Sequence, residues 1–150
     1  MRVVVQRVSE ASVEIEEAIK SQINKGLMVL LGIENEDTQE DVDWLVRKII
    51  NMRIFPDIDG IMNKSLLEAE GDVLLISQFT LHASTKKGNR PSYVKAAKPD
   101  VAIPLYEKTI ESFEQQLGKK IGTGKFGADM KVSLINDGPV TISIDSKNRE

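Results

Sequence analysis

Gly71-Asp72-Val73-Leu74-Leu75-Ile76-Ser77-Gln78-Phe79-Thr80-Leu81 begins as an uninterrupted apolar run and turns polar with no turn residue between the halves. Read as a strand, its alternation puts Val73, Leu75, Ser77, Phe79 and Leu81 on one face and Leu74, Ile76, Gln78 and Thr80 on the other. A strand that is apolar on both faces belongs in the interior of a sheet, and polar groups at its carboxyl end can line a crevice there. Gln78 and Thr80 are then expected to point the same way. Taken alone, Ser77, Gln78 and Thr80 fit equally well a strand end that satisfies neighbouring backbone groups.

Working outward, residues 27–33 (LMVLLGI) form a second strand apolar on both faces, so two strands are expected near the sheet centre. Upstream, the alternation of residues 1–9 and of 11–15 predicts two further strands, followed by a turn at Glu16-Glu17, a short strand at 21–23 and a turn at Asn24-Lys25-Gly26. From Thr38 the period changes. Val42, Leu45, Val46, Ile49 and Ile50 recur every three or four residues, which predicts an amphipathic helix capped by Asp37 or Thr38, with Trp44 packing beside its apolar stripe. Residues 51–66 read as a hairpin around Pro56-Asp57 and Asp59-Gly60. Asp57 and Asp59 there lack the remaining ligands of a calcium loop and are expected to serve the turn. A second helix covers residues 99–117, with Pro99 suited to its first turn, Pro104 a cost inside it, and Gly118 as its stop. Strands are predicted at 130–135 and 140–144, joined by a turn at Asn136-Asp137-Gly138-Pro139. Residues 146–150 are expected to fray.

Composition limits the function classes. The 150 residues are 41% hydrophobic and 29% charged, which suits a single domain spanning 1–150, and no window approaches the ~20 apolar residues of a membrane span. Strand-like sequence directly after Met1 predicts no secretory signal, and a cytoplasmic address is expected. There are no cysteines and one histidine, His82, so no metal site built on them and no cysteine nucleophile is expected. A threonine nucleophile served by His82 would require a hydrogen bond that i, i+2 neighbours on one strand do not make. Gly122-Thr123-Gly124-Lys125 lacks the spacing of a nucleotide-binding loop. The net charge of −3 does not advertise a nucleic-acid binder. Lys86, Lys87, Arg90, Lys95 and Lys98 nevertheless share a window with no acid before Asp100, which fits either a phosphate-binding loop or a solvated lysine-rich one, and Lys125 lies in a second glycine-rich basic stretch.

Ser77-Gln78-Phe79-Thr80-Leu81 and Asn136-Asp137-Gly138-Pro139-Val140-Thr141 together resemble the signature pair of the D-aminoacyl-tRNA deacylase family. The resemblance extends to Met1-Arg2-Val3-Val4-Val5-Gln6-Arg7-Val8, Arg53-Ile54-Phe55, Met62-Asn63-Lys64-Ser65-Leu66, Lys87-Gly88-Asn89-Arg90-Pro91-Ser92 and Thr123-Gly124-Lys125-Phe126-Gly127-Ala128-Asp129-Met130. It implies an α/β fold with a curved, mainly antiparallel, barrel-like sheet and two flanking helices. It also implies a cofactor-free, cytoplasmic, homodimeric esterase acting on D-aminoacyl-tRNA and glycyl-tRNA. In that reading Ser77, Gln78, Phe79 and Thr80 surround the ester, and backbone amides near Phe79 and Thr80 hold the oxyanion. Gly138 and a cis Pro139 from the other subunit would exclude the side chain of an L-amino acid. Two rivals remain: a non-catalytic nucleic-acid-binding dimer on the same fold, and a Ser or Thr hydrolase that depends on His82.

Overall fold

A computed structural model describes all 150 residues. Strand β1, Arg2–Ile15, is a single long strand, not two. The polar Ser9-Glu10 step that suggested a break is absorbed by irregularities in its pairing between Gln6 and Val8 and between Val8 and Glu10. Such bulges bend and twist a strand without ending it. Glu16 and Glu17 then take φ of 51° and 63°, which a two-residue hairpin turn needs, and β2, Ala18–Ile23, returns antiparallel.

Strand β3, Gly26–Gly32, pairs antiparallel with the first half of β1 and parallel with β6, Asp72–Ser77. Parallel neighbours need a crossover, which helix α1, Gln39–Asn51, supplies with the hairpin of β4, Phe55–Pro56, and β5, Met62–Lys64. In that hairpin the Asp57 carboxylate accepts from the amides of Asp59 and Ile61, as expected of a turn. Helix α2, Pro99–Leu117, crosses over to β7, Gly122–Thr123, which runs parallel to β6. Pro104 lies inside α2 on an exposed surface, and Gly118 ends the helix at φ 70°.

Strand β8, Lys131–Asp145, pairs antiparallel along almost the whole of β1. The sheet therefore runs β2-β1-β3-β6-β7, with β8 on the outer side of β1. Its ends approach each other: the Ser21 hydroxyl of β2 donates to the Thr123 carbonyl of β7 at 2.7 Å and accepts from the Thr123 amide at 3.2 Å. The sheet is thus mixed and nearly closed, like a barrel, with the two helices on one side, as the fold expectation held.

Both faces of the central strands are buried, on different partners. Val73 and Leu75 join Val3, Val5, Leu27, Val29 and Leu31 beneath the apolar stripes of α1 and α2. Leu74 and Ile76 meet Val8, Ala11, Val13, Ile23 and Met28 inside the barrel. The alternation read in β6 is the alternation between these two cores.

The carboxyl tail is held, contrary to expectation. Ser146 is buried, donates its amide to the Met1 carbonyl and donates its hydroxyl to Asp41 at 2.6 Å. Lys147 Nζ reaches the same carboxylate at 2.9 Å, and the Arg149 guanidinium lies 4.4 Å from the centre of the Trp44 ring. Asp41 also accepts from the Thr38 amide, closing the cap of α1. Burial alone would push the Asp41 carboxyl up. Hydrogen bonds from Ser146, Lys147 and Thr38 outweigh it and hold the group well below the usual carboxylate range.

A folded-state pKa below the unfolded one means that ionised Asp41 stabilises the fold above about pH 4 and that this is lost as pH falls. Asp41→Asn should cost roughly 1–3 kcal/mol in urea unfolding at pH 7. The gap to wild type should narrow at pH 3; an equal gap at both pH values would contradict this role.

Candidate functional site

The carboxyl end of β6 opens into a cavity of about 310 Å³. Ser77, Gln78 and Phe79 form one wall, Leu31, Ile33 and Ile76 the apolar floor, and the loop of residues 126–130 the opposite wall. Strand geometry ends at Ser77. The Gln78 amide closes the parallel ladder on the Leu31 carbonyl at 2.7 Å, and Phe79–His82 then form a 3-10 turn. The expected face pattern beyond Ser77 is therefore corrected: residues 79–82 are not strand. Gln78 and Thr80 still meet, because the tight turn brings Gln78 Nε2 to 2.5 Å from the Thr80 hydroxyl.

The first amides of such a turn have no acceptor within it, which leaves the N–H groups of Phe79 and Thr80 as candidate donors to a bound oxyanion. Gly32 sits directly beneath. A Cβ there would lie 2.9 Å from Leu81 Cβ and 3.0 Å from both the Gln78 carbonyl oxygen and His82 Cδ2. The turn is thus seated on bare backbone.

His82 is 1% exposed, and neither ring nitrogen has a hydrogen-bond partner. Its Nδ1 lies 4.0 Å from a Glu34 carboxylate oxygen, and the ring is not part of the cavity wall. Thr80 shares its hydroxyl with Gln78, so the threonine–histidine pairing that a His82-dependent hydrolase requires is not assembled.

Sequence reasoning passed over the residues that hold the far wall. The Tyr106 hydroxyl donates to the Leu75 carbonyl at 3.0 Å, the same carbonyl that accepts from the Gly124 amide. Burial pushes that phenol up to about 12, so it stays neutral at physiological pH. Its ring packs 6.0 Å from that of Phe126. A Cβ on Gly124 would collide with the Met130 sulfur, so the glycines of residues 122–124 serve close packing. The helical period of α2 signals a buried Tyr106 but says nothing of its carbonyl partner.

Gly138 and Pro139 lie elsewhere in the chain. Asn136-Asp137-Gly138-Pro139 is not a turn between two strands but an irregular stretch within continuous β8, with a cis Gly138–Pro139 bond. Ser77 is level with Leu31, Leu31 with Val3, and Val3 with Ile144. Pro139 lies opposite Arg7, four residues along β1 from Val3, and neither Gly138 nor Pro139 lines the cavity. One chain therefore does not bring Gly138-Pro139 to the cavity that holds Ser77 and Gln78.

Arg7 of β1 fixes this stretch. Its buried guanidinium donates to the carbonyls of Asp137 and Ile54. Gly138 has φ 138°, and a Cβ on it would meet Val140 and Arg7 of its own chain at 2.8 and 3.0 Å.

The basic window is surface. Reciprocal amide–carbonyl bonds between Ser84 and Ser92 tie the base of the loop carrying Lys86, Lys87 and Arg90. Lys95 and Lys98 flank Ala97, which lines the cavity, and Lys125 precedes the far wall. All six side chains are exposed, and none forms an ion pair.

The family model and the named bacterial relatives give the class, a hydrolase of the aminoacyl-tRNA deacylase type. The chain belongs to the D-Tyr-tRNA(Tyr) deacylase family, whose model matches residues 4–145. It is 65% identical over 150 residues to a D-aminoacyl-tRNA deacylase of Bacteroides thetaiotaomicron, with all of both chains covered. Among solved structures it is similar to one named c-Myc DNA Unwinding Element Binding Protein, at 41% identity and a TM-score of 0.91 over 97% of this chain and 98% of that one. A structure described as a probable eukaryotic D-amino acid tRNA deacylase shares the fold at a TM-score of 0.81 and 18% identity, over 95% and 98% of the two chains.

Gly32→Ala tests whether the seat of the turn sets the site. The added methyl should lift residues 78–82 and lower deacylation at least about ten-fold, at a stability cost of roughly 1–3 kcal/mol. Unchanged activity in a folded variant would show that the turn tolerates displacement.

Proposed function

We propose that this chain, acting as one domain and as a homodimer in the cytoplasm, hydrolyses the ester joining a D-amino acid or glycine to the 3′-terminal ribose of tRNA. The observation that carries the reading is a division. A pouch of small-ligand size sits beside Ser77-Gln78-Phe79-Thr80, while Gly138-Pro139 is exposed on β8, whose outer edge has no partner strand. A second copy could bring the two together. No helix of the chain is long and apolar enough to cross a membrane.

In this reading the aminoacyl group lies in the cavity, with its carbonyl oxygen toward the amides of Phe79 and Thr80. Attack by water makes the carbonyl tetrahedral and moves negative charge onto that oxygen, where each well-placed donor lowers the barrier by about 3 kcal/mol. Gln78 holds Thr80 in place. The Thr80 hydroxyl is engaged by Gln78, and the vicinal ribose hydroxyl of the tRNA itself assists the water. The partner's Gly138-Pro139 backbone closes the pouch where an L side chain would project, and Arg7 keeps that backbone rigid from behind. Lys86, Lys87, Arg90, Lys95, Lys98 and Lys125, free of carboxylate partners, take the phosphates of the acceptor end.

The name of the 41%-identical structure and the same basic loop favour one second reading, a nucleic-acid-binding dimer without turnover. Purified protein at catalytic concentration separates the two. Expected are rapid loss of D-tyrosyl-tRNA and glycyl-tRNA and survival of L-tyrosyl-tRNA. Salt-sensitive tRNA binding with every D-aminoacyl-tRNA left intact would support the binding protein.

A further inference from the structure

Phe79 serves the cavity with only part of its ring. It is 54% exposed and stands edge-to-face with Tyr93, their centres 5.0 Å apart and their planes at 75°. Tyr93 is 40% exposed and its hydroxyl makes no hydrogen bond in the chain; Val94 beside it is 86% exposed. An edge-to-face pair uses one face of one ring only, so the ring presenting its edge keeps both faces for a third partner. Apolar groups this open, next to a cavity mouth, mark a contact surface. Their setting indicates what makes the contact. The loop that carries Tyr93 also carries Lys86, Lys87, Arg90 and Lys95, all exposed and without carboxylate partners. Aromatic faces interleaved with unpaired cations are the chemistry that binds single-stranded nucleic acid, the rings stacking on bases and the cations following the phosphates.

We propose that Tyr93, with Phe79 as its buttress, is a stacking platform for the unpaired nucleobase immediately upstream of the terminal nucleoside of the RNA. This rests on the reading that the aminoacylated terminal nucleoside occupies the cavity. Phe79 belongs to both surfaces, so a strand whose last ribose enters the pouch must pass the ring pair one nucleotide earlier. Stacking tolerates any base, so the platform holds the end of the strand without reading its sequence. It orients the ester by fixing the nucleotide next to it, and Tyr93 is in this sense a positioning residue.

A short RNA ending in cytidine, 2-aminopurine and adenosine, with D-tyrosine linked to the terminal ribose through a non-hydrolysable amide, is the probe. Binding to the wild-type protein should quench 2-aminopurine fluorescence. Tyr93→Ala should abolish the quenching and weaken binding by about ten-fold to a hundred-fold, the effect of losing one base–aromatic stack. Tyr93→Phe should retain both, because the hydroxyl has no partner. Unchanged thermal unfolding of Tyr93→Ala would confirm that the exposed ring is not needed for folding. Quenching that persists in Tyr93→Ala, bound RNA without quenching, or no binding to the wild type would each overturn the platform. A protein that deacylates D-tyrosyl-tRNA but does not quench loses the platform alone; one that quenches but never deacylates loses the proposed reaction alone.

Discussion

The parallel contact between β3 and β6 is the constraint on which the rest of the molecule depends. It ends where the Gln78 amide meets the Leu31 carbonyl, and just beyond it residues 78–82 pack into the space that a Cβ on Gly32 would need. A strand continuing past Ser77 would lose its partner, so the chain turns, and the turn leaves amides unpaired at the mouth of an apolar pouch. The crossover that parallel pairing demands puts α1 and α2 on one face. The seam between Ser21 and Thr123 closes the other into a barrel interior. Fold and site thus share one junction.

Long-range features follow from β1. By accepting β3 along its first half, β2 along its second and β8 along its opposite edge, it makes the curved sheet possible and brings Arg7 to the back of Gly138. The Asp41–Ser146–Lys147 cluster then ties the carboxyl tail to the cap of α1. These contacts join segments far apart in sequence, and no local pattern encodes them.

That divides what the sequence makes legible from what it hides. Where burial is continuous, as in β3 and β6, or follows the helical period, as in α1 and α2, residue order alone marks the element. Ser9-Glu10 reads as a break between strands and Asn136-Asp137-Gly138-Pro139 as a turn, because polar and breaker residues look alike whether a chain reverses or bulges, and only the partner strand decides. The end of β6 at Ser77 was hidden for a related reason: Phe79 and Leu81 continue the apolar alternation, and the turn that replaces the strand packs on bare Gly32 of a neighbouring strand. Of the candidate site, Ser77, Gln78 and Phe79 line the cavity, Thr80 is hydrogen-bonded to Gln78 outside that lining, and Gly138-Pro139 lies elsewhere in the same chain. Arg7 and Tyr106 had no local signal of their function, since each acts on the carbonyl of a distant segment.

The central claim is that the pocket is completed by a second subunit, and exchange between two damaged chains tests it most directly. Gly138→Ala protein and Gln78→Ala protein are each assayed alone and then after mixing, with exchange verified by native mass. Mixed dimers of chains that lend Gly138 across the interface retain one intact pocket, so D-aminoacyl-tRNA hydrolysis should return to about a quarter of the wild-type rate. Verified exchange with no activity above that of the separate variants would contradict a shared pocket.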